Sequence, residues 1–235
     1  MVNRPQRIRF TTWVFPLRCG FVCMFTTRTL LEGKWPLLVL AALAGASLWW
    51  RCPTAAVISL ALLAFTVSFF RDPTRPVPAD PQVIVAPADG KVVEIANRHE
   101  AEFLQTDATM VAIFLSVFDV HVQRAPVAGE IKLVRYRRGQ FLDARNPHCS
   151  TVNENRVIGL QSADGFRVTV RQIAGVIARR IVGWAGEGAP VAKGERLGMI
   201  RFGSRVELFL PPSAVVTVKV GDRVKGGETI IARKR

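Results

Sequence analysis

Two unbroken apolar stretches stand near the start of the chain and set this region apart from the remainder. Residues 36–50 and 54–70 contain no charged side chain and are separated by Arg51, Cys52 and Pro53. At about 1.5 Å per residue, a helix of either length falls slightly short of a hydrocarbon core of about 30 Å. The pattern predicts a helical membrane hairpin that turns at Pro53 and either crosses the bilayer or lies within one leaflet.

The small residues Ala42, Ala44 and Ala46 also suit a signal-peptide cleavage site. A long leading region precedes them, however, and a second apolar stretch follows directly. Both features argue against cleavage, so the sequence favours a retained anchor.

A proline-rich segment follows the apolar region. Residues 71–81 read RDPTRPVPADP and contain four prolines, which is typical of a stiff linker. We therefore divide the chain into a basic segment and membrane anchor (1–70), a linker (71–81) and a second domain (82–235).

Beyond residue 81 the hydrophobic pattern changes to short runs rich in Val and Ile, interrupted by Gly, Pro, Asp or Asn. Only residues 176–181 have helical potential, and they also suit a strand. The pattern predicts a mainly β domain of antiparallel sheets. The predicted strands are 82–86, 91–96, 110–116, 129–135, 157–160, 167–173, 206–210 and 215–220.

A weak internal repeat lies near the end of the chain, where residues 188–200 resemble residues 221–231. Both copies contain the pattern V-x-x-G-E-x-L/I, a turn found in the barrel-sandwich hybrid of lipoyl and biotinyl domains. Neither copy has the Met-Lys-Met or Asp-Lys-Ala tip that would carry lipoate or biotin. The repeat therefore predicts lipoyl-like hairpins, and a recurrent turn without a function of its own is the simpler interpretation.

The net charge of +14 comes from 32 basic and 18 acidic residues, and it is unevenly distributed. Residues 1–34 carry +5, residues 35–70 carry only Arg51, and residues 71–235 carry +8. Basic regions on both sides of an apolar block favour an anionic membrane surface and place both ends of the hairpin in the cytoplasm. Nucleic acid is a weaker interpretation, because no basic motif is interleaved with aromatic residues.

The cysteines and histidines do not indicate a disulfide framework or a metal site. Cys19, Cys23 and Cys52 lie in or near the apolar region, and only Cys149 falls in the second domain. No His, Cys, Asp or Glu group has the spacing of a zinc or iron site, so we expect no metal. A reducing compartment is the simpler assumption.

A few polar residues are placed where chemistry is plausible. His121 follows an apolar run and is flanked by Asp119 and Arg124, so an ionisable cluster stands at a predicted strand end. Asp89 lies in a turn between two predicted strands, and the pair Gly203-Ser204 leads directly into another. Because only glycine tolerates the backbone strain, the Ser204 hydroxyl can approach the preceding carbonyl. His99 and His148 lie in polar segments, and a polar loop can also carry a site.

Three segments taken in order resemble the phosphatidylserine decarboxylases, most closely their short bacterial and archaeal form. They are PADGK at 87–91, FDVHVQRAP at 118–126 and FGSRVELFLP at 202–211, and the resemblance extends over about residues 70–235. It implies a proenzyme that cleaves itself between Gly203 and Ser204.

The implied products are a membrane-bound beta chain (1–203) and an alpha chain (204–235), held together as a heterodimer that can oligomerise further. Ser204 becomes a covalent pyruvoyl group, so the cofactor is pyruvate built into the chain. Its carbonyl forms a Schiff base with the substrate amine and accepts the electrons released by decarboxylation.

The resemblance also suggests roles for individual residues. Asp89 and His121 are the expected partners of Ser204 in self-cleavage, and His121 is the candidate acid that reprotonates the substrate. Longer family members have a second histidine where this chain has Arg124. The base for self-cleavage therefore stays open between His121 alone and His121 assisted by His148 or water.

We expect an enzyme that converts phosphatidylserine to phosphatidylethanolamine and CO2 at the cytoplasmic face of a bacterial inner membrane. The alternative is a non-catalytic, membrane-anchored adaptor with a lipoyl-like domain. The anionic phospholipid would be attracted by the densest basic region, although most of its members suit a solvated surface. That region contains Arg135, Arg137, Arg138, Arg145 and Arg156.

Overall fold

A helical hairpin precedes the β domain in the computed structural model, which describes residues 24–146, 148–176, 180–201 and 204–235. Helix α1 spans Thr27–Trp49 and helix α2 spans Pro53–Phe69. Helix α1 begins well before the apolar run at 36–50, because Thr26 and Thr29 cap each other's backbone N–H groups. Pro53 suits the first position of α2, where its missing N–H costs no hydrogen bond.

The two helices expose much of their apolar surface. Leu38, Trp49 and Val57 are each more than half exposed. Helix α1 is long and apolar enough to cross a membrane, judged by length and composition, whereas α2 is shorter. A surface of this kind is suited to a lipid environment.

Residues 71–80 contain no regular element and lead from α2 into the β domain. Asp72 is completely buried in this segment. Its carboxylate accepts a hydrogen bond from Arg124 Nη2 at 2.5 Å and also pairs with Arg196. The start of the linker is therefore held firmly against the domain.

The β domain has fourteen strands and one short helix, α3 (Cys149–Val152), within the described residues. The first seven strands are β1 Val83–Val85, β2 Gly90–Glu100, β3 Thr106–Leu115, β4 Val122–Arg124, β5 Gly129–Arg137, β6 Asn155–Gln161 and β7 Arg167–Ile173. The last seven are β8 Ile181–Gly183, β9 Pro190–Val191, β10 Arg196–Ile200, β11 Ser204–Leu210, β12 Ala214–Val216, β13 Arg223–Val224 and β14 Ile230–Lys234.

The strands form one large sheet and two small ones, and all of their pairings are antiparallel. The large sheet has the order β13-β2-β3-β11-β7-β6-β5-β9, and the small sheets are β1-β14-β12 and β4-β10-β8. The prediction of a mainly β, antiparallel domain is confirmed. The lipoyl-like character of its hairpins stays a prediction.

The internal repeat corresponds to two similar turns. Gly194 and Gly227 occupy equivalent positions of the repeat and both have left-handed backbones, with φ of +79° and +77°. Gly194 N–H donates to Ala125 O, and Gly227 N–H donates to Ala86 O, each at 2.8 Å. The repeated sequence therefore produces repeated backbone geometry, because both glycines adopt a conformation that L side chains rarely adopt.

The apolar core lies between the sheets and draws residues from nearly every strand. Its largest fully buried members include Ile84, Ile113, Leu115, Ile158, Leu160, Leu197 and Ile200. Strand β11 is buried along its whole length, so both of its faces are covered. The residues at its start are therefore shielded from water.

The tip of the β2–β3 hairpin is organised by one buried carboxylate. Glu100 accepts hydrogen bonds from the backbone N–H groups of Glu102, Phe103 and Leu104 and from the Thr169 hydroxyl. Burial opposes ionisation of Glu100, but these four donors outweigh it and lower the pKa of the carboxyl group.

We predict that Glu100→Ala destabilises the domain by about 3 kcal/mol, because it leaves several buried donors unpaired. Thermal unfolding of the detergent-solubilised chain, followed by circular dichroism, measures the loss. The matched control is Asp107→Ala in the same hairpin, whose side chain is 85% exposed. It should change stability by less than about 0.5 kcal/mol. Equal effects of the two variants would contradict the role of Glu100.

Candidate active site

Ser204 is the first residue of β11 and lies opposite Leu115 of β3. Strand alternation places its side chain on the same face as Val206 and Leu208, which belong to the apolar core. The residue is fully buried, and its Oγ has no hydrogen-bond partner in the part of the chain that the structure describes. Because a buried hydroxyl without a partner is costly, it is a candidate for chemistry.

A short segment links Ser204 to a second sheet. Strand β10 ends at Ile200, whose N–H donates to His121 O at 3.2 Å. Strand β10 belongs to the β4-β10-β8 sheet, and the next strand along the chain, β11, belongs to the large sheet. The strand that bonds to His121 O therefore ends four residues before Ser204 in the sequence. Gly203, the other predicted cleavage-site residue, lies outside the described residues.

His121 is fully buried, and in the sequence it lies between Asp119 and strand β4. Its Nδ1 lies 2.9 Å from Asp119 O, and since a carbonyl oxygen only accepts, Nδ1 carries the proton. The lone pair is therefore on Nε2, which is buried and has no partner among the described residues. Burial lowers the pKa of His121 to about 4, although Asp119 opposes the shift. The ring is thus a neutral base at neutral pH.

Asp89 has other partners. Its carboxylate accepts from Arg75 Nη2 at 2.6 Å and from Gly226 N–H at 2.8 Å. Burial raises the pKa of Asp89, while the charge of Arg75 and the bond from Gly226 act in the opposite direction. No direct hydrogen bond joins Asp89 to His121 within the described ranges. The structure places Asp89 in an ion-paired turn, and it does not form a direct Asp–His relay there.

Asp119 has a role that the sequence did not reveal. Its carboxylate accepts from Ser116 N–H at 2.8 Å and from Ser116 Oγ at 2.7 Å, closing the loop that carries His121. This arrangement aims the Asp119 carbonyl at the imidazole. The signal in the sequence was the S-x-x-D spacing at 116–119, which is typical of a side-chain-capped turn.

Arg124, predicted to stand in place of a second family histidine, is structural here. It is buried and donates to Asp72 Oδ1, Pro73 O and Gly194 O at 2.5–3.1 Å. A guanidinium remains charged and has no acceptor, so Arg124 does not serve as a base.

The other two histidines have exposed positions. His148 precedes the short helix α3, and His99 lies 3.1 Å from Asp107 at the surface. His121 is thus the fully buried histidine of the described chain. No group of three or more His, Cys, Asp or Glu that could hold a metal occurs among the described residues.

A cavity of about 280 Å³ lies beside Leu115, the residue that pairs with Ser204 in the β3–β11 ladder. Leu115 and Val176 contribute to its apolar walls, and Asp143 and Arg145 lie at its polar side. Arg145 is 72% exposed and pairs with Asp143 at 2.6 Å. The cavity therefore combines apolar walls with the Asp143–Arg145 ion pair.

The remaining predicted arginines have different environments. Arg156 is buried and donates to Gln172 Oε1 and Ala185 O, so its role is structural. Arg135 and Arg137 pair with the nearly buried Glu102. Arg145 is therefore the member of this group that lines the cavity beside Leu115.

The chain thus joins an apolar helical hairpin to a β-rich domain that buries a serine and a neutral histidine. The family model for phosphatidylserine decarboxylase matches residues 62–232.

Several proteins named phosphatidylserine decarboxylase proenzyme are similar to this chain. The one from Symbiobacterium thermophilum is 44% identical over 200 residues, covering 85% of this chain and 93% of the relative. That from Carboxydothermus hydrogenoformans is 44% identical over 206 residues, or 86% and 94%. That from Desulfotalea psychrophila is 43% identical over 183 residues, or 78% and 86%. The chain belongs to the phosphatidylserine decarboxylase family and is therefore a carboxy-lyase, not a non-catalytic adaptor.

We predict that the His121 imidazole titrates near pH 4 in the folded Ser204→Ala chain, as measured by NMR of the labelled ring. The unfolded chain binds this proton near pH 6.5, so folding stability should fall as pH decreases from about 6.5 to 4. A midpoint of the folded form near 6.5 would show that the ring is solvated and contradict the buried site.

Proposed function

We propose that the chain decarboxylates phosphatidylserine to phosphatidylethanolamine and CO2 after cleaving itself between Gly203 and Ser204. One observation carries the proposal: the buried, unpartnered Oγ of Ser204 stands at the start of β11, next to the segment that joins it to the sheet of His121. The buried Nε2 of His121 is a neutral acceptor without a partner among the described residues.

Self-cleavage begins when His121 Nε2 takes the proton of Ser204 Oγ, and Oγ attacks the Gly203 carbonyl carbon. The peptide C–N bond then breaks as the proton held by His121 passes to the Ser204 nitrogen, and an ester joins Gly203 to Ser204 Oγ. Removal of the Ser204 Cα proton then breaks the Cβ–Oγ bond, which leaves Gly203 as a carboxylate and residue 204 as dehydroalanine. Water replaces the nitrogen of residue 204, with release of ammonia, and a pyruvoyl group remains.

The two products should remain associated. Chain 204–235 contains β11, which pairs with β3 and β7 of the other product, and β14, which pairs with β1. These ladders are backbone hydrogen bonds that cleavage before β11 leaves intact. The proposed enzyme is thus a heterodimer of its own cleavage products.

The residues around position 204 fit a group of this size and polarity. A buried position whose oxygen has no partner among the described residues accommodates the pyruvoyl carbonyl without displacing one. When present, that carbonyl supplies an electron sink for the carbanion formed at the substrate Cα on loss of CO2. In this proposal His121 Nε2 first takes up a proton and then passes it to Cα. The Arg145 guanidinium binds the headgroup anion at the cavity in place of Asp143.

In this proposal Asp89 contributes to self-cleavage by holding other parts of the chain in place. Its ion pair with Arg75 and its bond from Gly226 connect the linker, the β1–β2 turn and the alpha-chain segment. It thereby holds 204–235 in register with the rest of the domain.

The hairpin anchors the enzyme to the inner membrane of a bacterium, with the β domain on the cytoplasmic side. Basic residues before and after the hairpin support this orientation, and they attract the anionic lipids among which the substrate resides. Since the substrate stays in the bilayer, an anchored active site avoids extracting it.

We predict that the intact masses of the purified wild-type protein show two chains, 204–235 being one of them, whereas Ser204→Ala yields only the uncleaved, inactive precursor. The substitution removes the nucleophile without adding bulk. The control is Ser213→Ala, an exposed serine in the same product, which should cleave normally. Cleavage of Ser204→Ala at the same bond would show that the junction is wrongly placed.

We predict that His121→Ala slows self-cleavage by about 100-fold or more, because a general base contributes about that much. A pulse of newly made protein, sampled over time on denaturing gels, gives the rate. His99→Ala and His148→Ala are the matched controls, and a slow His148→Ala variant would assign the base to His148 instead.

A further inference from the structure

The helical hairpin touches the site directly. The Glu32 carboxylate of α1 forms an ion pair with Arg201, and the Phe69 ring of α2 lies against the ring of His121. Arg201 directly follows β10 and stands two residues before Gly203. Two parts of the anchor therefore reach the two parts of the site that self-cleavage needs, the segment before the cleaved bond and the base.

Glu32 is unusual for its region of sequence. It is the single acidic residue in positions 1–70, which otherwise carry seven basic side chains. Its side chain is 21% exposed and that of Arg201 is 24% exposed, so the pair is largely shielded from water. A shielded carboxylate is costly unless it has a partner, and a shielded pair restrains both partners more than a surface pair does. Glu32 thus fixes the position of Arg201.

Phe69 covers the imidazole of His121. The two ring centroids lie 4.3 Å apart, with 38° between the ring planes. Phe69 is 1% exposed and His121 is fully buried. The phenyl ring excludes water from one face of the base and leaves only a narrow range of imidazole orientations.

Further contacts hold the hairpin in this position. Phe70 packs against Met199 of β10. The Phe70 ring also lies so close to Gly33 of α1 that a side chain at position 33 would place its Cβ within 3 Å of the ring. Thr26 Oγ1 donates to Asp72 Oδ2 at 3.1 Å, next to the buried pair with Arg124. The hairpin is therefore docked on the domain at both of its ends near the site.

We propose that the membrane hairpin is a positioning part of the self-cleavage site, in which Glu32 holds the segment before Gly203 through Arg201 and Phe69 holds His121. This inference rests on the proposed cleavage at Gly203-Ser204. The anchor then has two tasks, attachment and assembly of the site. A precursor whose hairpin is not docked stays uncleaved.

The ion pair is tested by a double-mutant cycle in the full-length chain, synthesised into vesicles that contain anionic phospholipid. Glu32→Ala and Arg201→Ala should each slow the appearance of chain 204–235 by about tenfold to a hundredfold, since small displacements of reacting groups have effects of this size. The double variant should be no slower than the slower single variant, because both remove the same interaction. Glu32→Asp should recover part of the rate. The exposed Lys34→Ala in α1 is the control and should cleave normally.

The ring contact is tested by the pH dependence of self-cleavage. The charged groups that face His121 are Asp119 on its own loop and Arg71 after α2, and both remain in the variants. Phe69→Ala admits water, so the acid limb of the rate profile should move from about pH 4 toward 6.5. Phe69→Leu should shift it less. Leu60→Ala, in an exposed position of α2, should leave it unchanged.

The results separate the two proposals. If wild-type protein cleaves and Ser204→Ala does not, the proposed function stands regardless of the hairpin variants. In that case, three results would each overturn the role of the hairpin. The first is a wild-type cleavage rate in Glu32→Ala and Phe69→Ala. The others are multiplicative effects of Glu32→Ala and Arg201→Ala in the double variant, and a pH profile that Phe69→Ala does not shift. If wild-type protein does not cleave at Gly203-Ser204, the proposed function itself fails.

Discussion

Strand β11 pairs with β3 on one side and with β7 on the other, and much of the domain is organised by these two ladders. Seven consecutive residues of β11 pair with β3, and five of them also pair with β7. Both faces of the strand are buried, so even its first residue, Ser204, is withdrawn from water. The same ladders would retain chain 204–235 after cleavage. Burial of the nucleophile and retention of the product thus have one structural cause.

Shielding from water gives the polar groups of the domain their different properties. His121 has a single acceptor for its Nδ1 proton, and burial keeps the ring neutral. Asp72 is equally buried but remains paired with Arg124 and Arg196, which satisfies its charge. A buried charge is stable where it has a hydrogen-bonded partner of opposite charge. A buried polar group without a partner is suited to reaction. The structure separates the two kinds of group within one small region.

The fold shows which basic residues are buried in the protein and which stay at its surface. Several arginines are used inside the protein, among them Arg124, Arg156 and Arg205, each buried with hydrogen-bonded partners. Arg145 is one that stays exposed beside the cavity. Part of the positive charge thus supports the interior, and in the proposed function the exposed part attracts an anionic lipid surface. Counting charges in the sequence does not distinguish these uses.

Local patterns predicted the apolar hairpin and the antiparallel strands, and short motifs pointed to Ser204 and His121, on which the proposed chemistry depends. Strand β7 matches its predicted bounds, because alternation of side chains is a local property. The short strands β4 and β10 were not predicted, since two to five residues carry little pattern of their own and pair only in the folded chain. Tertiary structure alone decided that Arg124 binds Asp72, that Asp119 orients His121, and that Phe69 and Glu32 reach the site. These contacts join residues from separate elements, and their geometry follows from packing, which no local pattern records.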